Sequence, residues 1–64
     1  MKVGHMVTHQ FGNDPDHNMI GFVLRLDPFD DGLHTEILWF DEDEPGGTII
    51  SVWVNDDFEV VGAV

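Results

Sequence analysis

The chain has no cysteine, no tyrosine and, across 64 residues, one lysine and one arginine. Each shortage removes a class of protein. Without cysteine there is no disulfide to staple the fold and no thiolate to hold a metal. With two cations against thirteen acidic side chains, the formal charge is -11. Such a chain repels nucleic-acid phosphates and anionic lipid headgroups, so neither direct nucleic-acid binding nor membrane binding is expected. No apolar run approaches the roughly 18 residues of a membrane-spanning helix. Lys2 leads into Val3 and Gly4 rather than into an apolar stretch, so no secretory signal is expected, and a soluble protein is. Ser51 has no histidine–carboxylate pair set against it, and Gly46-Gly47 lacks the lysine of a phosphate-binding loop. Nothing marks an enzyme, and no cofactor is expected.

What is present is a strand pattern. Apolar residues make up 42% of the chain, more than a disordered segment carries. One small domain over residues 1–64 follows from the length. Residues 19–27, MIGFVLRLD, alternate. Ile20, Phe22, Leu24 and Leu26 take one face, and Gly21, Val23, Arg25 and Asp27 the other. The turn PFDDG follows. Residues 33–40, LHTEILWF, place Leu33, Thr35, Ile37 and Trp39 on one side and His34, Glu36, Leu38 and Phe40 on the other. Residues 48–54, TIISVWV, are rich in β-branched side chains, and Asn55, Asp56 and Asp57 break them in a short 3₁₀ turn. Residues 58–61 form a last strand, and residues 1–9 contain the first.

Five short strands without a helix suggest a small closed barrel, because closure removes exposed edges. Its expected core is Val3, Val7, Ile20, Phe22, Leu24, Leu26, Ile37, Trp39, Ile49 and Val60, with Val52 and Phe58 as further members. Leu38 and Phe40 face away from that core and suggest either a second apolar patch or a cover for an open barrel end.

Val3-Gly4-His5-Met6-Val7, Ile20-Gly21-Phe22-Val23, Glu36-Ile37-Leu38-Trp39 and the closing Asp57-Phe58-Glu59-Val60-Val61 together resemble SH3-like barrels of the KOW and Tudor kind. The chain also resembles small proteins of tailed bacteriophages. The first resemblance implies an all-β, five-stranded SH3-like barrel. The second implies a virion or host-interaction component, placed in the host cytoplasm or the particle. His5 stands where that family usually has an acidic residue, and the loops are acidic where its nucleic-acid binders are basic.

The residues that could carry a function sit in loops and on strand faces. His5 and His9 are four apart, which on a strand separates them by about 13 Å, too far to share an ion. Asn13, Asp14, Asp16 and His17 lack the glycine and closing glutamate of a calcium loop. No metal site is expected from either group. Asp41, Glu42, Asp43 and Glu44 form the densest charge run, suited to docking on a basic protein surface. Asp30, Asp31, Asp56 and Asp57 are candidates to extend it. Trp53 and Phe40 are the candidate apolar contacts. The expected function is that of a non-catalytic accessory or structural protein working through protein–protein contact, with a basic partner, a homo-oligomer or a larger assembly as its setting. The alternatives are an acidic nucleic-acid mimic that occupies a basic groove and a KOW-like regulator of transcription or translation.

Overall fold

The computed structural model describes residues 1–10, 18–41 and 43–62. Five strands follow in order: β1 (Met6–Gln10), β2 (Asn18–Leu26), β3 (His34–Phe40), β4 (Thr48–Val54) and, after a 3₁₀ turn at Asn55–Asp57, β5 (Glu59–Gly62). All neighbours pair antiparallel, in the spatial order β4-β3-β2-β1-β5. Breaker residues set these limits. Pro28, Asp30 and Gly32 end the first hairpin, and Pro45, Gly46 and Gly47 open the second.

The sheet is open, and this corrects the expected barrel. β4 and β5 lie at opposite edges and do not pair. The physical reason lies in how the chain leaves β4. The 3₁₀ turn carries it across one sheet face to the far edge, and Phe58 is left packed on Trp39, with ring centroids 6.5 Å apart. His9 donates from Nδ1 to the Asp57 carbonyl at 2.6 Å, which ties the turn to β1. Asn55 fixes its other side. Its amide donates to the Leu33 carbonyl at 2.8 Å, and its Oδ1 accepts from the buried Thr35 hydroxyl at 2.6 Å. β5 is then four residues long and slips register against β1 at Met6/Val7. It is too short and irregular to continue a closed ladder.

The core is small. Val7, Ile37 and Trp39 are 0% exposed, and Val23, Thr35 and Phe58 complete the buried set. Met19 and Trp53 pack on it from the margin. The β3 face was legible: Thr35, Ile37 and Trp39 are all buried. Leu33 on the same face is exposed.

The β2 face is reversed from expectation. Gly21 pairs with Trp39 and Val23 with Ile37, so the Gly21/Val23 side faces the core. Ile20, Leu24 and Leu26 are exposed and Phe22 is only half-buried. Register changes between Val23 and Arg25, where an irregularity places Arg25 opposite Glu36. Val3, Ile49 and Val60, also expected inside, are exposed, and Val52 is half-buried. In an open sheet of this size one buried face cannot hold so many side chains.

Candidate functional site

The side chains displaced from the core assemble a second surface. Residues directly opposite on neighbouring antiparallel strands project to the same face. The register therefore defines rows across the outer face, the one turned away from Trp39. One row runs Met6, Phe22, Leu38, Ile50. The next runs Glu59, Thr8, Ile20, Phe40, Thr48. A third brings Arg25, Glu36 and Val52 together. Ile20 and Phe40 are each 47% exposed and Ile50 61%. Phe22 and Phe40 meet edge-to-face at 5.6 Å and 90°. This is a contiguous apolar patch on the middle of a sheet, where a half-solvated antiparallel sheet ordinarily alternates to polar groups.

The carboxylates flank this patch. Asp41, Asp43 and Glu44 lie in the β3–β4 loop at one end of the sheet. Asp27, Asp30 and Asp31 in the β2–β3 turn lie at the other. Asp56 joins the latter group, because the neighbouring Asn55 amide bonds the Leu33 carbonyl beside that turn, whereas Asp57 is held at β1 by His9. The two acidic groups are thus separated by the seven residues of β3, about 20 Å of strand. They do not form one continuous surface. Glu36 and Glu59 are the acidic side chains within the strands themselves.

Both acidic ends are ordered by local bonds. In the 41–47 loop, Asp41 N–H donates to Gly47 O at 2.9 Å, Glu44 N–H to Asp41 O at 3.2 Å, and Gly47 N–H to Glu44 O at 2.8 Å. Asp41 Oδ1 accepts the Asp43 amide at 3.0 Å. Glu42 lies outside the described residues, as do Asn13, Asp14, Asp16 and His17. At the opposite end Asp27 Oδ1 accepts the Gly32 amide and Asp31 Oδ1 the Leu33 amide, each at 2.8 Å. His34 Nδ1 meets Asp31 Oδ2 at 2.7 Å. The Asp31 carboxyl is held below its ordinary value, first by the Leu33 amide and further by the bond to His34 and its charge.

Trp53 is placed on the core side of the sheet, half-buried. It packs on Trp39 at 5.0 Å and on His9 at 4.8 Å, and its indole N–H donates to Ser51 Oγ at 3.1 Å. The structure therefore separates it from Phe40, which is on the outer face. His5, just before β1, accepts from the Lys2 amide, and His9, in β1, donates to the Asp57 carbonyl. Among the described residues no three His, Asp or Glu side chains gather as metal ligands. Among them, too, no helix is long and apolar enough to cross a membrane.

Sequence reasoning left Leu38 and Phe40 between a second patch and a cover for a barrel end, assigned Ile20 and Phe22 to the core and left Ile50 aside. The available signal was that β3 and β4 are apolar on both faces, which a strand exposed on one side does not require.

No protein-family model, curated protein or solved structure matches the chain. The resemblance to KOW and Tudor barrels and to bacteriophage proteins is accordingly withdrawn, since it rested on glycine and valine spacing and the sheet does not close. What the geometry defines is a small, open, antiparallel sheet with one buried face, an apolar patch on the other face and acidic ends.

Proposed function

We propose that this chain is a non-catalytic contact module that works by laying the outer face of its sheet on another protein. The observation that carries this reading is the apolar patch of exposed Ile20, Phe40 and Ile50 around half-buried Phe22 and Leu38, bordered at both ends by carboxylates. A water-facing sheet gains nothing from such side chains, whereas an apolar centre with a charged rim is the usual anatomy of a protein–protein interface. The rim carboxylates then act on encounter rate and on choice of partner more than on grip. A nucleic-acid mimic is less well supported, because its carboxylates should run evenly along one surface. Here they split into two ends with an apolar face between.

The test is affinity capture from a lysate of the source cell with the wild-type chain and with Ile50→Asp. Ile50 pairs with Leu38 on the outer face, is 61% exposed and lies outside the buried set around Trp39. The variant should keep the folded spectrum of the wild type and lose the proteins that the wild type retains. Equal retention by both chains would dismiss the outer face as the contact surface.

A further inference from the structure

The two edges of the sheet are built differently. β5 is protected in familiar ways: it is short, its register is broken, it begins with a carboxylate, and Gly62 sits at φ 157°. β4 has none of these devices. Its seven residues, TIISVWV, contain no charge, proline or glycine, and they pair with β3 without a break from Thr48 opposite Phe40 to Val54 opposite His34.

Which backbone groups β4 leaves free follows from two hydrogen bonds. The Asn55 amide donates to Leu33 O and the Asp41 amide to Gly47 O. Both pairs lie in the same register as the β3–β4 ladder. In an antiparallel pair such hydrogen-bonded positions alternate with positions whose N–H and C=O point the other way. Ile49, Ser51 and Trp53 therefore face β3. Thr48, Ile50, Val52 and Val54 turn their N–H and C=O groups to the open edge.

We propose that this edge receives an extended segment of a partner protein as a sixth strand, and that the segment is apolar in its middle and flanked by lysine or arginine. The proposal rests on the reading of the chain as a contact module and specifies how the contact is made. Backbone pairing would supply affinity, as in other strand additions. The added strand would continue the outer face beside Ile50 and Val52. Charge selects the occupant. Asp41, Asp43 and Glu44 stand at the Thr48 end of β4, and at its Val54 end stand Asp56, one residue beyond Asn55, and Asp31, which holds the Leu33 amide while the Leu33 carbonyl holds Asn55. A strand lying along β4 has its two ends beside these two groups. A second copy of this chain is the wrong occupant. Paired antiparallel through β4, it would set the 41–47 loop of each copy against Asp56 and Asp31 of the other. Paired parallel, it would set like loops together. Lysine- or arginine-bearing flanks meet opposite charge in either direction.

The experiment uses the full chain, labelled with ¹⁵N, and a synthetic nonapeptide: two lysines, five alternating valines and threonines, two lysines. The peptide should slow hydrogen exchange at the amides of Ile50, Val52 and Val54. Its glutamate-flanked counterpart should bind at least about tenfold more weakly, and the lysine peptide should weaken as NaCl rises from about 0.05 to about 0.5 M. Val52→Pro removes an outward-facing donor without touching a bond to β3, and should abolish that protection. If the variant fails to fold, a lysine peptide with its central amides N-methylated takes its place and should not bind.

Peptide-induced shifts confined to Phe22, Leu38 and Phe40, without slowed exchange along β4, would overturn strand addition and leave the contact module standing. Loss of partner capture on Ile50→Asp is what decides that module separately. Protection of the β4 amides in the peptide-free chain, together with a dimeric mass, would give the edge to a second copy and overturn the proposal. No binding of the lysine peptide at all would overturn it as well.

Discussion

Gly21 and Trp39 fit closely against each other. They are direct partners across β2 and β3. A methyl group at Gly21 would come within 2.6 Å of the Leu38 carbonyl oxygen, 2.8 Å of Trp39 Cε3 and 2.9 Å of Ile37 Cγ2. The indole thus occupies the space where residue 21 has no side chain. Two of these obstacles are core side chains already 0% exposed, and the third is backbone. Relief requires the strands themselves to shift. Gly21→Ala should cost about 1–3 kcal/mol, as overpacked cores do, a large share of the few kcal/mol that a domain this small commands. A urea titration followed by tryptophan fluorescence reads the change, and an unaltered midpoint would show that the strands part without strain. The same pair explains why β2 was misread from sequence. Alternation favours the more hydrophobic side, and Ile20, Phe22, Leu24 and Leu26 outweigh Gly21 and Val23. A glycine that makes room for tryptophan is core by volume yet scores as polar by type. On β3 no such exchange occurs, and the buried run of Thr35, Ile37 and Trp39 could be read directly.

At the scale of elements, strands and turns were legible because local chemistry sets them. β4 and the 3₁₀ turn have the limits expected from TIISVWV and the three residues after it. Sheet closure was not legible, because the pairing of two edge strands depends on contacts distant in sequence. The deciding residues were Asn55 and Phe58, whose roles lie in bonds to Leu33 and Thr35 and in packing on Trp39. The β2–β3 turn carries a pH dependence whose sign follows from its bonds. Asp27 and Asp30 take the left-handed conformation, at φ 49° and 55°, and Asp31 closes the turn through the Leu33 amide and His34. Since the Asp31 pKa is lowered in the fold, its ionised form favours the folded turn. That contribution is present above the unfolded-chain value and is lost as pH falls through the lowered one. Exchange of the Leu33 amide, corrected for its intrinsic rate, should therefore become less protected on acidification through that window. Asp31→Asn keeps an oxygen acceptor without the charge and should remove the pH dependence. The same acid response in the variant would assign it to another group.

For the whole molecule, charge and fold work against each other. A formal charge of -11 is confined to a body with a Cα radius of gyration of 11.5 Å. Most described carboxylates stand in loops at the two ends of one sheet. Compaction brings these ends nearer than the unfolded chain holds them, so the folded state carries more self-repulsion. Lys2 and Arg25 are too few to offset it. Arg25 faces Glu36 across the strands. Added salt screens repulsion among exposed groups, with a Debye length that falls from about 10 Å at 0.1 M to about 3 Å at 1 M. It also strengthens burial of the apolar outer face in any assembly that uses it. The thermal midpoint should therefore rise between about 0.05 and about 0.5 M NaCl. Measuring it at several protein concentrations separates the two effects. Screening within one chain raises the midpoint at every concentration alike, whereas association raises it more at higher concentration. A midpoint that falls with salt would mean that attractive pairs outweigh the repulsion. The two acidic ends would then be stabilising contacts of the fold rather than a charge held ready for a partner.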